Sequence, residues 1–325
     1  MSAIPTVRGP IDTSQLGVTL MHEHIFVLST EIMLNYPEVW GDEDQRVENA
    51  ATHLNALAAQ GVRTIVDLTV VGQGRFVPRI QRVAERTSIN IIVATGIYTF
   101  RDIPFYFRLR GATPPPGSTD VMTDLFVRDI TSGIGETGVR AGVLKCATDA
   151  AGLTRGVERV LRAVAQAHRA TGVPISTHTH VATRRGLDQQ RIFREEGVDL
   201  SRVVIGHSGD SADLQYLEEL IAAGSYLGMD RFGIDTILSF DERVDTVARL
   251  CQRGHAAQLV LSHDYSSFID WLPERELAVR WPNWHYLHIH QDVIPALKRR
   301  GVTDEQVRAM LVDNPRTIFE RSGAY

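Results

Sequence analysis

The chain has 325 residues, of which 43% are hydrophobic and 22% are charged, and its formal net charge is −5. This composition is typical of a folded globular protein with a core that needs no covalent cross-links, and no low-complexity tract interrupts it. The small negative charge and the lack of a basic run argue against nucleic acid or an anionic membrane as the main partner. No apolar stretch reaches roughly 18 residues and no secretory leader pattern is visible. The cysteines, Cys146 and Cys251, are far apart, so we expect reduced thiols and a cytoplasmic protein.

A short pattern that recurs along the chain predicts a series of buried strands. A glycine able to close a helix in the left-handed conformation precedes a β-branched apolar run, which ends in polar residues and is followed by an amphipathic helix. Runs without polar alternation are typical of strands that are buried on both faces of a parallel sheet. The pattern and two similar runs predict eight strands, at residues 17–24, 61–69, 89–95, 141–145, 174–178, 203–207, 225–230 and 258–264.

Helices are predicted between these strands. One apolar helical face is formed by Val157, Val160, Leu161 and Val164, and Thr303 with Gln306 forms a capping box that opens the last helix. Strands alternating with helices in this way predict an α/β protein, a (β/α)8 or TIM barrel that forms one domain over residues 1–325. A dinucleotide-binding open sheet would need Gly-x-Gly-x-x-Gly after its first strand, and the sequence has none there.

Two long segments follow predicted strands at their C-terminal ends, where barrel enzymes build their pockets. They are residues 99–120, with consecutive prolines at 114–116, and residues 265–286. We expect both to contribute to a pocket.

Side chains of metal-ligand type stand at the C-terminal ends of the predicted strands. Residues two apart on a strand share a face, so His22 and His24 point the same way while Glu23 points oppositely. The fifth, sixth and eighth strands end in His178, His207 and Asp264. One histidine at a strand end is more often a hydrogen-bonded core residue than a ligand. The whole set, however, predicts a site for zinc, cobalt, iron or manganese.

Lys145 ends the fourth strand and needs a separate explanation, because a buried ammonium would repel divalent cations. A desolvated lysine loses its proton readily. The neutral amine can then capture carbon dioxide as a carbamate, whose two oxygens could bridge two ions. The alternative is a lysine that extends from the strand end to solvent.

The sequence resembles the phosphotriesterase-like lactonases of the amidohydrolase superfamily over essentially its whole length. The matching stretches are Gly-Val-Thr-Leu-Met-His-Glu-His at 17–24, Ala-Gly-Val-Leu-Lys-Cys-Ala at 141–147, Pro-Ile-Ser-Thr-His-Thr-His at 174–180, Val-Ile-Gly-His-Ser-Gly-Asp at 204–210, Tyr-Leu-Gly-Met-Asp-Arg-Phe-Gly at 226–233, Leu-Ser-His-Asp at 261–264 and Asp-Asn-Pro-Arg at 313–316. Together these motifs are specific, whereas His-x-His by itself would be weak.

The resemblance implies two divalent metal ions and a homodimer. His22 and His24 would bind the more buried ion with Asp264, and His178 and His207 would bind the more exposed one. Carboxylated Lys145 and a hydroxide would bridge the two ions.

The resemblance also places Tyr98, Arg231 and Trp271 near the substrate at the mouth of the site. The alternatives are packing aromatics for Tyr98 and Trp271 and a structural ion pair for Arg231. The stretch Tyr-Ser-Ser at 265–267 departs from close relatives, which often carry small residues and cysteine there. This difference puts the shape of the substrate channel in question.

The functional hypothesis is a lactonase that opens acyl-homoserine lactones and related lactones, with a quorum-quenching role and promiscuous phosphotriesterase activity. Hydroxide would attack the lactone carbonyl, Tyr98 would donate a hydrogen bond, and Asp264 would carry the proton to the leaving oxygen. The apolar residues Phe268, Ile269, Trp271 and Leu272 suit an acyl chain.

Other functions remain open. They are an organophosphate-specific phosphotriesterase, an amidohydrolase acting on ring amides and, with less support, a single-metal deaminase, which would have no use for a bridging lysine. A non-catalytic homologue that only binds a ligand is disfavoured because all six ligand positions are filled.

Overall fold

The computed structural model describes residues 3–110, 119–320 and 323–325. Its strands are β1 (Ala3–Thr6), β2 (Gly9–Asp12), β3 (Val18–Val27), β4 (Val62–Asp67), β5 (Asn90–Gly96), β6 (Val143–Ala147), β7 (Ile175–His178), β8 (Val203–Ile205), β9 (Tyr226–Met229), β10 (Leu259–Leu261) and β11 (Ser266–Ile269). The prolines at 114–116 in the first long segment lie outside the described residues.

The helices are α1 (Thr30–Asn35), α2 (Pro37–Trp40), α3 (Glu43–Ala59), α4 (Val77–Ala84), α5 (Phe105–Arg110), α6 (Val121–Thr131), α7 (Arg155–Thr171), α8 (Arg185–Glu195), α9 (Leu214–Ala222), α10 (Phe240–Gln252), α11 (Glu274–Arg280), α12 (Ile294–Arg299), α13 (Asp304–Arg308) and α14 (Asn314–Glu320). Wider helical turns at Ile289–Val293 and Ala309–Asp313 lead into α12 and α14. Short 3-10 turns occupy Thr13–Gln15, Val181–Thr183, Leu200–Arg202, Ser208–Asp210 and Ala256–Gln258.

The main sheet is parallel and curled, and in the described part of the chain it has nine strands in the order β10-β9-β8-β7-β6-β5-β4-β3-β11. Each of the eight predicted strand positions holds a strand, from β3 to β10, so the α/β class is confirmed. The strand β11 was not predicted, because residues 265–286 were interpreted as an insertion. In the structure Ser266 and Phe268 are buried and alternate with half-buried Ser267 and Ile269. The sequence Ser-Ser-Phe-Ile does not itself alternate polar with apolar residues, so it carried no strand pattern.

The last strand segment connects the two edges of the curled sheet. β10 pairs with β9, and β11, which follows after only four residues, pairs with β3. Between them the Asp264 N–H donates to the His22 carbonyl at 3.0 Å, and the His24 N–H donates to the Tyr265 carbonyl at 2.9 Å. These bonds hold Asp264 directly beside His22 and His24.

The helix α7 shows how sequence produces the outer layer. Val157, Val160, Leu161 and Val164 are all buried against the sheet, as their spacing predicted. Each fully buried aliphatic side chain contributes about 1.5–3 kcal/mol. Thr154 caps the helix by accepting the Val157 N–H, and Gly172 ends it with φ +74°. The predicted capping box of Thr303 and Gln306 is also confirmed at the start of α13.

Two hydrophobic clusters fill the interior. The larger lies between sheet and helices, and the smaller includes Val143, Val204 and Val260 on the opposite face of the strands, beside Ile4 of the N-terminal hairpin. Lys145 follows Val143 by two residues and therefore shares its face. Gly96 passes so close to this lysine that a Cβ would lie 1.8 Å from the Lys145 carbonyl oxygen. Among the described helices, none combines the length and apolar character needed to cross a bilayer.

Candidate metal centre

The six predicted ligands come together towards the C-terminal ends of the strands. The strands β3 and β6 run two or three residues beyond their predicted ends, so His22, His24 and Lys145 lie inside them, whereas the other three ligands end or follow a strand. The Nε2 atoms of His22 and His24 lie 3.3 and 3.1 Å from Asp264 Oδ1. On the other side of the centre, His207 Nε2 lies 2.8 Å from His178 Nδ1. Lys145 Nζ lies 2.9 Å from His22 Nε2. Residues separated by up to 242 positions in the chain thus share one buried cluster.

Hydrogen bonds on the outer side of the cluster determine which imidazole nitrogens carry protons. Asp230 lies 2.8 Å from His22 Nδ1 and 2.7 Å from His207 Nδ1. The Thr69 hydroxyl donates to Asp67, so at 2.8 Å it accepts from His24 Nδ1. Each of these histidines is therefore protonated at Nδ1 and presents the Nε2 lone pair to the centre.

His178 is turned the other way. Its Nε2 atom lies 3.2 Å from Asp149 Oδ2, so the ring donates there and directs the Nδ1 lone pair inwards. Burial lowers the pKa of His178 to about 4, and burial also holds the pKa values of His22 and His207 well below the usual value. These three imidazoles are neutral near neutral pH and can therefore serve as ligands.

The donor set fits metal ions. The lone pairs of His178 and His207 face each other at 2.8 Å. Those of His22 and His24 face the Asp264 carboxylate at 3.3 and 3.1 Å. Without a cation between them, these groups would repel one another. The latter separations are close to the edge of about 3.4 Å expected of a tetrahedron with metal–ligand bonds of about 2.0–2.1 Å. His22, His207 and Asp230 also lie close enough to be a ligand group, but they contact through Nδ1–H donors, which makes Asp230 an orienting acceptor rather than a ligand.

Lys145 is buried in this cluster. Burial lowers the pKa of its amine to about 8, and the only neighbours within hydrogen-bond reach among the described residues are His22 Nε2 and, at 3.3 Å, the Thr177 carbonyl. It does not extend to solvent, which removes the alternative of a lysine reaching the surface. The neutral form of this amine is therefore more accessible near neutral pH than that of an exposed lysine.

Of the three residues expected at the mouth, Tyr98 and Arg231 lie next to the ligands, and Trp271 lies beside Tyr98 in the wall of the same cavity. The Tyr98 hydroxyl lies 3.4 Å from His178 Nδ1, and the Trp271 ring, 45% exposed, lies 5.8 Å from the Tyr98 ring. Arg231 donates from Nε to Asp264 and from a terminal nitrogen to Asp210, both at 3.0 Å. Arg231 therefore takes part in an ion-pair network and also borders the site.

A cavity of about 170 Å³ opens directly over the ligands. Apart from the ligands, Tyr98 and Arg231, its wall is mostly apolar and comes largely from the segment after β10: Ile269, Trp271, Leu272, Leu277, Trp281 and Trp284, with Val27 and Ile234. A second, polar cleft of about 590 Å³ meets the site on the far side of His178 and Arg231.

The backbone is strained where it presents three of the site residues. His207, Arg231 and Asp264 have φ values of +61°, +73° and +56°, and Arg184 is the other non-glycine residue with positive φ in the described chain. Such conformations cost about 1–3 kcal/mol each and persist where surrounding structure over-determines them. Here the strain turns side chains from the strand ends towards the centre.

Sequence reasoning gave no role to several residues that hold the ligands in place. Asp67, Thr69, Asp149 and Asp210 follow or end strands, and Asp230 ends the predicted strand 225–230 and lies within a quoted motif. An acidic residue at a strand end was the sequence feature that could have indicated such an orienting role. The sequence could not show which histidine each acidic residue would face.

A curled parallel α/β sheet that gathers imidazoles, a carboxylate and a buried lysine at its C-terminal edge defines a metal-dependent hydrolase. The model of the phosphotriesterase family matches residues 2–319. The chain belongs to the phosphotriesterase family, which is part of the amidohydrolase superfamily of metal-dependent hydrolases and uses binuclear metal centres.

Individual relatives agree with this assignment. A phosphotriesterase homology protein of Mycobacterium tuberculosis is 67% identical over 325 residues, with 100% of both chains covered. An aryldialkylphosphatase of Saccharolobus solfataricus is 40% identical, covering 97% of this chain and 99% of that protein. The solved structure of the phosphotriesterase from Mycobacterium tuberculosis has a TM-score of 0.96 at 66% identity, covering 99% of this chain and 100% of that one.

Proposed function

We propose that this protein is a lactonase that opens acyl-homoserine lactones and related lactones, with a quorum-quenching role and with phosphotriesters as secondary substrates. The observation that carries the proposal is the apolar wall of the cavity over the ligands, formed by Ile269, Leu272, Leu277 and the neighbouring tryptophans. Such a wall can take an acyl chain while the ester carbonyl meets the polar floor.

Two divalent ions, zinc, cobalt, iron or manganese, are the proposed cofactors. His22, His24 and Asp264 would hold one ion and His178 and His207 the other, with carboxylated Lys145 as the shared ligand. The lowered pKa and complete burial of Lys145 support carboxylation. When bound, the ions supply Lewis acidity towards the carbonyl and lower the pKa of water enough to give hydroxide near neutrality.

The chain's own residues supply hydrogen bonds and proton transfer. Burial raises the pKa of Tyr98, so its hydroxyl stays protonated and can donate to the carbonyl or to the departing oxygen. Asp264 Oδ2 accepts from Arg231 Nε at 3.0 Å, which fixes the carboxylate that would take the proton from water and pass it to the leaving alkoxide.

We also propose that the curled sheet closes as a (β/α)8 barrel that forms one domain. The support is the last strand segment, whose β10 part pairs with β9 and whose β11 part pairs with β3. A closed sheet would leave no unpaired edge and would make the site rigid.

A homodimer is the proposed assembly. Its support is exposed apolar area on short helices, with Leu34 at 69%, Phe105 at 72% and Leu109 at 73% exposed. Exposed apolar side chains of this size are the kind that a subunit interface covers. Sedimentation equilibrium at micromolar concentration should give a mass near 72 kDa, about twice the 36.1 kDa of one chain, and a mass near one chain would contradict the dimer.

The proposed activity is tested with a substrate panel on protein of measured metal content. Acyl-homoserine lactones of several chain lengths, simple lactones, phosphotriesters and cyclic amides are compared by kcat/KM. We expect lactones to be turned over best. A phosphotriester preferred over every lactone would favour the second candidate, an organophosphate hydrolase, which the 40% identical aryldialkylphosphatase supports, and preference for a cyclic amide would favour an amidohydrolase.

Lys145→Ala tests the lysine. It removes the amine that would be carboxylated, so we expect kcat to fall by at least about 10²-fold, the size of effect seen when one electrostatic contributor is lost from a hydrolytic site. Added short carboxylic acids should restore part of the activity by replacing the missing carboxylate. A Lys145→Ala variant with unchanged kcat and metal content would contradict the bridging role.

A further inference from the structure

His178 differs from the other three histidine ligands in which ring nitrogen faces the centre. His22, His24 and His207 present Nε2 and donate from Nδ1, whereas His178 presents Nδ1 and donates from Nε2. The ring orientation of His178 is therefore set by whatever accepts its Nε2 proton. Among the described residues, Asp149 Oδ2 is the acceptor, at 3.2 Å.

Asp149 is itself held in a fixed orientation. It lies just beyond β6, four residues after Lys145, and its Oδ1 atom accepts the Ala150 N–H at 2.7 Å. Its backbone carbonyl accepts the Gly152 N–H at 2.8 Å, which closes the turn. The carboxylate can therefore present Oδ2 to His178 without further ordering.

The surroundings of Asp149 also differ from those of the other orienting acceptors. Asp230 is buried at 1% exposure and Thr69 at 5%, whereas the Asp149 side chain is 27% exposed. Asp149 lines the polar cleft of about 590 Å³, together with His180, Arg184, Asp210 and Arg231. The hydrogen bond that orients His178 is consequently the one that solvent can reach and weaken.

We propose that Asp149 is a positioning residue for His178 and that it determines how firmly the metal ion of the His178–His207 side is held. The proposal rests on the binuclear centre of the proposed function. It makes the two ion positions unequal: the His22–His24 side is fixed by buried acceptors, and the His178 side depends on one cleft-lining carboxylate.

The test is metal release from the loaded protein, followed with a chelator, in wild type, Asp149→Ala and Asp149→Asn. In wild type, we expect a faster and a slower release phase of equal amplitude. Asp149→Ala should accelerate the faster phase by about 10–100-fold, the usual effect of losing the partner of a ligating histidine, and leave the slower phase unchanged. Asp149→Asn keeps an oxygen acceptor and should give an intermediate acceleration.

Asp102→Asn is the matched control, because Asp102 is an exposed aspartate in the loop after β5 and the change removes the same charge. Its release phases should equal those of wild type. Absorption of cobalt-loaded protein should differ from wild type in Asp149→Ala but not in Asp102→Asn, as expected when one imidazole changes its orientation.

The outcomes separate this proposal from the proposed function. Wild-type protein that binds no metal would contradict the binuclear centre itself. Two ions in wild type, together with unchanged release from Asp149→Ala, would overturn only the role of Asp149. Equal acceleration of both release phases would also overturn the role of Asp149, because that role is specific to one ion position. The same holds if Asp149→Asn releases metal as fast as Asp149→Ala.

Discussion

At the scale of single residues, the site depends on hydrogen-bond acceptors that lie behind the ligands. Asp230 accepts from His22 Nδ1, from His207 Nδ1 and from the His207 N–H, the last at 2.8 Å. One carboxylate thus sets the tautomer of a histidine on β3 and of another just after β8. It also stabilises the strained backbone of His207, because the amide it accepts belongs to the residue with φ +61°.

Asp230→Asn follows from this geometry as a prediction. An amide has one acceptor oxygen, and its NH2 group would face an N–H donor, so one imidazole should lose its orientation. We expect metal affinity to fall by about 10–100-fold, measured by titrating metal-free protein in a calorimeter. A metal affinity of Asp230→Asn equal to that of wild type would show that the second acceptor oxygen is dispensable. Asp102→Asn is the control for the loss of one negative charge.

At the scale of elements, the cavity has a firm floor and a loosely attached roof. The floor consists of strand ends whose side chains are buried. The roof includes α11, in which no side chain from Glu274 to Arg280 is buried. Its Leu277 nevertheless lines the cavity. By contrast, α7 buries eight side chains, including Val157, Leu161 and Val164. Few buried apolar contacts give a low free energy of local opening.

Hydrogen exchange should therefore distinguish the two helices. We expect the amides of α11 to exchange at least about tenfold faster than those of α7, the ratio that corresponds to 1.4 kcal/mol. A bound long-chain lactone should slow exchange in α11 and leave α7 unchanged, since the acyl chain would contact the roof. Equal protection of the two helices in the free protein would contradict a mobile roof.

At the scale of the whole molecule, the chain end is attached to the helical layer. The Tyr325 hydroxyl donates to His168 Nε2 at 2.7 Å and accepts the Asp199 N–H at 2.7 Å. His168, buried in α7, donates from Nδ1 to the Val173 carbonyl at 2.7 Å, so the ring is neutral when both bonds form. Burial lowers the pKa of His168 below that of a free imidazole.

This lowered pKa predicts a pH dependence of stability. Below about pH 6.5, the usual pKa of histidine, the unfolded chain binds a proton at His168 that the folded protein does not. The free energy of unfolding therefore decreases as pH falls below that value, by up to about 1.4 kcal/mol per pH unit for this one group. In His168→Gln the free energy of unfolding should decrease less with falling pH, by the same amount per pH unit. Urea unfolding of metal-free protein between pH 5 and 7 measures this difference. Parallel pH profiles of the two proteins would contradict the assignment.

The amount predictable from sequence differs between elements. The strands β3 to β10 were predicted because each lies in a continuous apolar run with a glycine or polar boundary. The strand β11 was missed because its residues, Ser-Ser-Phe-Ile, form neither a continuous apolar run nor a polar and apolar alternation. Its formation depends on pairing with β3, more than 230 positions away in the chain, and no local preference encodes that contact.

The ligands and their orienting partners show the same division. Which side chains stand near the strand ends was predictable from the chain alone, since apolar runs and the alternation of strand faces are local properties. Three features appear only in the folded structure: His178 presents Nδ1 while the others present Nε2, Asp230 serves two histidines, and Asp149 faces the polar cleft. The reason is that a ring orientation follows from the position of its acceptor, and that position exists only once separate strands are side by side.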